Sequence, residues 1–317
     1  MVYYAIPRRK HPRERLDILH DLILLENQVP FPVLEELYNL AYLDLPNPHN
    51  EDNSFHKLVL DYFLCFWKDS YLKNVSTNDY YEILRPKHLI DFLRCFLLPS
   101  HPERGERIKR RLPCATKLAE AGVEFREDKK KRLLDIKFQK SRLLECLLFL
   151  TLSWLSSFLP CFNCLENMEA VLKIPSFTAG DATNRVNRNF MAFEQCHYPH
   201  ETYLCNYIVL LDHLIETEKD VDLLVERKVL DNWLGRDEAV VNLINKLCHQ
   251  VVEGNHSCYH DISEWINEHY MGSWSKLTAS LKSQHFRDFL RGSITVVRIL
   301  ALFFAFWSFL RPFVSLR

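Results

Sequence analysis

The stretch DLILLENQVPFPVLEELY (residues 21–38) places two runs of apolar side chains on either side of a short polar interruption. Apolar residues recur every three or four positions in both runs, which predicts one helix over residues 16–25 and a second over residues 30–42. The interruption is Glu-Asn-Gln at residues 26–28. Asn suits the end of one helix, and Glu or Gln can bond the free N–H groups of the next. We expect a tight, largely buried helix–helix corner, in which Asn27→Ala costs about 1–2 kcal/mol.

The same helical spacing continues through most of the chain. Ser54 fits the N-cap of the run FHKLVLDYFLCFW, and Pro86 opens a further helix that Pro99 ends. Other helical patterns occur over residues 114–121, 185–196, 203–216, 221–225, 237–252 and from residue 261 onward. The predicted fold class is therefore mainly α, a helical bundle.

A small β element interrupts the helices. Residues 123–125 and 134–138 alternate apolar and polar side chains around a charged turn, which is typical of a β-hairpin. Residues 171–177 could add a third strand, with Pro175 confining it to an edge or an end. The residues expected to be paired in strands are Phe125, Ile136 and Phe138.

Composition excludes several classes of protein. A formal net charge of -1 gives no support to a nucleic-acid-binding surface, which needs clustered positive charge. The one basic run, Lys129 to Arg132, directly follows two acidic residues and is expected to be a solvated turn; the alternative is a phosphate or lipid-headgroup contact. The seven glycines are too widely spaced for a phosphate-cradling loop. No small-molecule substrate or cofactor is evident.

The ten cysteines are expected to be reduced and mostly buried, as at Cys65 and Cys95 inside apolar helical patterns. Cys161 and Cys164 form one C-x-x-C pair, but a structural zinc site needs four ligands and no second pair exists. The residues that could complete a site by chance are Cys196, His197, Cys248, His249, His256, Cys258 and His260.

No motif for catalysis stands out. Cys196 and His197 are neighbours, and neighbours on a helix point about 100° apart, so a core Cys beside a solvent-facing His is expected. Glu26 is expected to be structural rather than catalytic. We predict no enzyme activity and no catalytic, cofactor-binding or metal-binding residues.

Two strongly apolar stretches stand apart: residues 147–159, and the run ILALFFAFWSFL from Ile299 to Leu310. A membrane span usually needs about 20 apolar residues, and an Arg near one end can reach the interface. We expect residues 293–314 to form a C-terminal membrane anchor and residues 1–290 to form the helical domain. The alternative is a last helix that packs in the protein's own core.

Charges around the anchor predict its orientation. Four basic residues precede the span and two follow it; they are Lys282, Arg287, Arg291 and Arg298, then Arg311 and Arg317. Because positive residues favour the cytosolic side, a single pass with a cytosolic domain is expected. The sequons at Asn74 and Asn255 would then carry no sugar.

The residues also resemble a plant family, the domain of unknown function 247. The opening stretch is similar to the family signature LLLENQLPFFVLE, and further similar segments follow in the same order: ATKLAEAGVEF, LLDIKF, VLKIPSF, RNFMAFEQC and VLDNWLG. The resemblance implies a hydrophobic segment near the C-terminus and implies no enzyme activity or catalytic residues. Some grass members are linked to pollen–stigma self-incompatibility, which would imply a recognition role.

Three departures from the family pattern are expected to matter. Arg298 and Arg311 make the apolar C-terminal segment shorter and more charged than in the family. The chain looks truncated at its N-terminus, because members usually carry a further stretch before LLENQ. LLDIKF and VLKIPSF normally lie close together, so residues 141–170 are predicted to be an insertion, perhaps retained intron sequence. The flanking strands should then pair as if the insertion were absent. A membrane span at residues 147–159 is the rival interpretation.

The leading functional hypothesis is a non-enzymatic, membrane-anchored interaction or recognition protein with an unknown protein partner. The alternative is a soluble or peripheral structural protein whose C-terminal helix packs in its own core.

Overall fold

The computed structural model describes residues 12–41, 54–67, 72, 85–98, 105–108, 110–140, 170–252, 254 and 256–272. This part of the chain is mainly helical with small sheets, as predicted. Its helices are α1 (Pro12–Leu22), a 3-10 turn (Leu25–Asn27), α2 (Phe31–Ala41), α3 (Phe55–Trp67), α4 (Leu89–Leu97), α5 (Ala115–Glu120), α6 (Thr183–His197), α7 (Tyr203–Leu214), α8 (Glu218–Glu226), α9 (Asp237–Cys248) and α10 (His260–Met271). Its strands are β1 (Gly105–Glu106), β2 (Val123–Glu127), β3 (Lys137–Lys140), β4 (Ala170–Ile174), β5 (Phe177–Ala179), β6 (Leu230–Asn232) and β7 (His256–Ser257).

Local sequence explains where several helices begin. The Ser54 hydroxyl accepts a hydrogen bond from the Lys57 backbone N–H at 3.2 Å, as expected of the residue that caps α3. At α8, the Thr217 side chain and the Asp220 side chain form a reciprocal capping box. Gly235 has a φ of 77°, which lets the chain turn sharply into α9.

The central sheet has three strands in the order β2-β4-β3, so the predicted hairpin is wrong. Strand β4 lies between the other two, parallel to β2 and antiparallel to β3. Four of its five side chains are buried, as expected of a strand whose sheet is covered on both faces. Phe125 and Phe138 are paired in strands as predicted, whereas Ile136 is buried just before β3, in a tight turn closed by its N–H bond to Leu134.

Strands β3 and β4 pair directly across the proposed insertion. Lys140 lies opposite Ala170, and Ala170 is itself a fully buried strand residue. The pairing is the one expected if the intervening chain were absent. Residues 141–169 lie outside the described residues, so the insertion stays a prediction.

Two further strand pairs were not predicted. Strand β5, which lies between β4 and α6 in sequence, pairs in parallel with β6. Strand β1 pairs antiparallel with β7. Buried side chains from most of the helices and strands form one hydrophobic cluster. In it α7 packs against α6 and α9, and its Tyr207 ring lies 6.0 Å from the Phe177 ring of β5. The short β1–β7 pair lies beside α10.

The predicted anchor at residues 293–314, the apolar stretch at 147–159 and the sequons at Asn74 and Asn255 lie outside the described residues. Among the residues that are described, no helix is both long and apolar enough to span a membrane.

Candidate functional site

The polar corner between α1 and α2 lies at the surface. Glu26 and Asn27 are exposed and Gln28 is half-buried, so the expected burial is wrong for the first two. The 3-10 turn that carries them buries none of its residues. The Asn27 N–H bonds the nearby Leu24 carbonyl, so the backbone of this exposed residue needs no distant partner. The Asn27 amide still bonds a backbone group, donating to the Asp21 carbonyl at 3.1 Å.

Gln28 makes the longer connection. Its side-chain amide donates to the carbonyl oxygens of Leu22 and Leu24, each at 2.9 Å. Its Oε1 accepts a hydrogen bond from the Ile90 backbone N–H at 3.0 Å, in the first turn of α4. Gln28 therefore bonds both the C-terminal end of α1 and the first turn of α4, and so connects the two helices.

Helix α2 contacts the rest of the described protein mainly through one face. Phe31 is its buried residue, and its ring lies 5.1 Å from that of Phe55 and 5.3 Å from that of Phe92. The opposite face of α2 exposes Val33, Leu37 and Leu40, and Val29 is exposed just before the helix begins. These four side chains are between 43% and 58% exposed, and we call them the α2 stripe.

A buried ion pair joins α4 to α6. Arg94 Nε lies 3.1 Å from Glu194 Oε1, and both side chains are at most 4% exposed. The other carboxylate oxygen of Glu194 accepts hydrogen bonds from the N–H groups of Leu204 and Cys205, at 2.9 Å and 3.2 Å, in the first turn of α7. Arg94 also donates to the Glu201 carbonyl at 2.6 Å.

The ion pair and hydrogen bonds of this network stabilise the fold. Burial raises the pKa of the Glu194 carboxyl, but Arg94 and the two backbone N–H groups oppose that rise, and each of them is a donor that favours the ionised form. The Arg94 guanidinium also lies 4.3 Å from the Tyr198 ring centroid, and the Tyr198 hydroxyl donates to Asp91 at 2.9 Å. Burial and that bond raise the pKa of Tyr198 to about 12, so it stays a donor at neutral pH. The network locks α4, α6 and α7 together.

Two predictions about cysteines are wrong. Cys65 and Cys196 are exposed rather than buried, whereas Cys114 and Cys205 are buried as expected. Each of the two thiols lies on the exposed side of its helix. The apolar residues next to them in sequence do not indicate which side of the helix is exposed. His197, next to Cys196, stacks on the Phe193 ring at 4.7 Å.

The described residues contain no group of three His, Cys, Asp or Glu side chains that could hold a metal ion. Cys161 and Cys164 lie outside the described residues. His256 is exposed at the end of a cleft, while the Cys258 sulfur accepts a weak contact from Asn206 at 3.8 Å.

That cleft has a volume of about 320 Å³ and lies where α7, the end of α9 and the β1–β7 pair meet. Four of its lining side chains carry, or can take up, positive charge: Arg107, Arg111, His213 and His256. Asp212 is the one acidic residue among the described lining residues, and its carboxylate lies 3.6 Å from Arg111.

Gly105 brings the two sides of the cleft together. A Cβ at this position would clash with the His260 side chain and would lie 2.9 Å from the Ser257 carbonyl oxygen. A glycine therefore lets β1 lie against β7, which carries Arg107 to the cleft. Sequence analysis missed this grouping because Arg107 and Arg111 are distant in sequence from His213 and His256, and no local spacing connects them.

Comparison with known proteins identifies the relatives of the chain. The family model DUF247, "Plant protein of unknown function", matches residues 7–304. The chain belongs to this family. It is also 26% identical over 273 residues to a UPF0481 protein of Arabidopsis thaliana, a match that covers 86% of the chain and 54% of that protein. The chain thus spans about half the length of the curated relative it matches. No solved structure matches.

In this DUF247 chain, segments that resemble the family signature supply long-range polar contacts. Asn189, in RNFMAFEQC, accepts a hydrogen bond from the Leu25 N–H at 3.0 Å, and Glu194 lies in the same segment. Asp231, in VLDNWLG, accepts one at 2.7 Å from Ser176, in VLKIPSF. These signature residues therefore join segments of the fold that are distant in sequence.

Proposed function

We propose that this DUF247 protein is a non-enzymatic, membrane-associated interaction protein whose α2 stripe binds a partner protein. The single observation that carries the proposal is the exposure of Val33, Leu37 and Leu40 along one side of α2, with Val29 exposed just before the helix. Contiguous exposed apolar side chains are typical of protein interaction sites. The membrane association rests on the apolar sequence from Ile299 to Leu310.

The spacing of the stripe indicates the kind of partner. Residues 33, 37 and 40 follow the three- and four-residue intervals by which one helix packs against another. Glu36 is exposed beside the stripe. The partner best suited to this face is an amphipathic helix with a leucine-rich side flanked by Lys or Arg.

A matched pair of variants tests the interaction. Leu37→Asp places a charge on the stripe, and Val225→Asp places one at another exposed apolar position, on α8. In proximity labelling of the full chain in plant tissue, we expect Leu37→Asp to remove a set of labelled proteins that Val225→Asp retains. A protein from that set, once purified, should bind the unmodified chain about tenfold or more tightly than the Leu37→Asp chain. Identical labelling by both variants would contradict the proposal.

Membrane fractionation tests the other part of the proposal. Deleting residues 293–317 should move the chain from the membrane pellet to the supernatant. If the unmodified chain is found in the supernatant, and if the deletion instead lowers the unfolding midpoint, the alternative function is favoured. That alternative is a soluble or peripheral structural protein whose apolar C-terminal helix packs in its own core.

A further inference from the structure

We propose that the cleft between α7, the end of α9 and the β1–β7 pair binds a phosphate monoester or diphosphate group. This site is separate from the α2 stripe and goes beyond the proposed function. The cleft is large enough, at about 320 Å³, for a small phosphorylated group, since ligand pockets begin at about 300 Å³.

The chemistry of the lining favours an anion. Arg107 and Arg111 each present guanidinium N–H groups in a planar arrangement that suits phosphate oxygens. Both side chains are exposed, so a ligand can reach them from solvent. Arg111 is 59% exposed, and its contacts with the Asp212 carboxylate and carbonyl are long, at 3.6 Å and 3.5 Å, so a phosphate could compete for this guanidinium.

The opposite wall supplies further donors. Asn206, Val209 and His213 lie at spacings that put them on one side of α7, facing the cleft. His256 and Ser257 come from β7. An imidazole offers an N–H donor even when neutral, and a Ser hydroxyl can donate as well.

The net charge of the described lining stays positive. Two arginines face one aspartate, and the histidines can add further charge. In sequence, Lys109 and Glu253 lie between lining residues, and their charges offset each other. Both are outside the described residues. The described residues bring no three His, Cys, Asp or Glu side chains together as a metal site, and the two arginines would repel a cation, so an oxyanion suits this lining better.

The test uses the full chain and inorganic pyrophosphate as the probe, with binding measured by isothermal titration calorimetry. We expect saturable binding by the unmodified chain. Arg107→Gln combined with Arg111→Gln should weaken it by about tenfold or more, because charge-assisted hydrogen bonds are lost. Lys129→Gln combined with Lys130→Gln removes the same charge from the turn after β2 and should change the affinity by about twofold or less.

A second arm distinguishes a free ligand from a lipid. Vesicles of phosphatidylcholine with and without phosphatidylinositol 4-phosphate are titrated with the full chain and with the full chain that carries Arg107→Gln and Arg111→Gln. Arginine-dependent binding to the phosphorylated vesicles alone identifies a lipid headgroup as the source, while binding of pyrophosphate without vesicle binding identifies a soluble ligand.

The proposal would be overturned if the full chain bound neither pyrophosphate nor the phosphorylated vesicles. It would also be overturned if the arginine double variant and the lysine double variant lost the same amount of affinity. His256→Gln provides a third variant, because this exposed side chain can be changed without loss of core packing; its binding should also weaken. These outcomes do not depend on Leu37, so they separate this site from the proposed partner interaction.

Discussion

Helices α2 and α7 have similar lengths and are both rich in apolar residues, yet the fold uses them in opposite ways. Nine of the twelve residues of α7 are buried, whereas Phe31 is the buried residue among the eleven of α2. Helix α7 is apolar on nearly every side, so it must be surrounded by other elements. Helix α2 also has apolar residues on more than one side, but its packing on α3 uses one of them. Apolar content alone therefore did not determine burial, and the surplus on α2 suggests a binding surface.

The two helices also begin differently. The first turn of α7 is held by the buried carboxylate of Glu194, which is itself paired with Arg94. The first turn of α2 is held by a backbone bond, in which the Phe31 N–H donates to the Lys87 carbonyl at 2.8 Å. In the corner just before α2, the half-buried Gln28 side chain accepts a hydrogen bond from the Ile90 N–H of α4. We expect stability to depend strongly on the first arrangement and weakly on the second.

The largest expected effect comes from breaking the buried ion pair. Arg94→Met leaves the Glu194 charge without its cationic partner inside the protein and should lower the free energy of unfolding by about 3–5 kcal/mol. Lys117→Met is the matched control, because Lys117 pairs with Glu216 at the surface, where the two charged groups are 3.5 Å apart and about half exposed. Because solvent screens this pair, Lys117→Met should lower the free energy of unfolding far less than Arg94→Met does. Urea unfolding of both variants measures the difference. Similar losses would mean that the buried pair does not anchor α7.

Truncating one apolar side chain in each helix tests the contrast directly. Ile208 is fully buried in α7, so Ile208→Ala should cost about 2–5 kcal/mol through lost burial and a cavity. Leu37 is 58% exposed in α2, so Leu37→Ala should change the free energy of unfolding by about 0.5 kcal/mol or less. Chemical denaturation gives both values. A cost above about 1.5 kcal/mol at Leu37 would show that another part of the chain covers the stripe.

The pH dependence of the free energy of unfolding should reveal the contribution of Asp220, which lies in the first turn of α8. Asp220 has a fully buried side chain that accepts hydrogen bonds from the N–H and hydroxyl groups of Thr116 and Thr217. Burial by itself would raise the pKa of Asp220, but these hydrogen bonds hold it below the ordinary value of 3.8. Asp220→Ala should therefore cost about 2 kcal/mol at neutral pH.

The sign of the pH effect follows from that lowered pKa. The stabilisation by Asp220 is fully present above pH 3.8, the unfolded value, and is lost as pH falls through the lower folded value. The difference between the unmodified chain and Asp220→Ala should accordingly shrink below about pH 4. Asp222→Ala, at an exposed position of the same helix, serves as the control and should show no such change. A difference that persists unchanged at pH 2 would contradict this account.

Sequence periodicity located the helices well, because each apolar face leaves a local signature. The predicted run FHKLVLDYFLCFW coincides with α3, and Tyr203 was correctly placed at the start of α7. The strand pairing could not be obtained in this way. Strand β4 pairs with both β2 and β3. Which strands become its neighbours depends on the packing of the whole sheet and not on a pattern of residues within β4.

The candidate sites were less predictable than the fold. The Arg94–Glu194 pair joins residues that are 100 positions apart. Arg107 and His256 line the same cleft because β1 pairs with β7. Neither arrangement has a local sequence pattern. The exposed stripe on α2 was hidden for a different reason: its leucines and valines look like core residues until the packing of α2 on α3 shows which side is covered.

The smallest expected effect concerns the corner that the sequence identified first. Asn27 is exposed and makes a local bond to the Asp21 carbonyl, so Asn27→Ala should cost about 0.5 kcal/mol, less than burial of the corner would have implied. Gln28 joins two carbonyl groups of the α1 end to the first turn of α4, so Gln28→Ala should cost about 1–2 kcal/mol by leaving the Ile90 N–H without its acceptor. Thermal and urea unfolding of the two single variants rank them. If Asn27→Ala proves the more costly, the exposed turn holds the corner, and the start of α2 depends on side-chain contacts as α7 does.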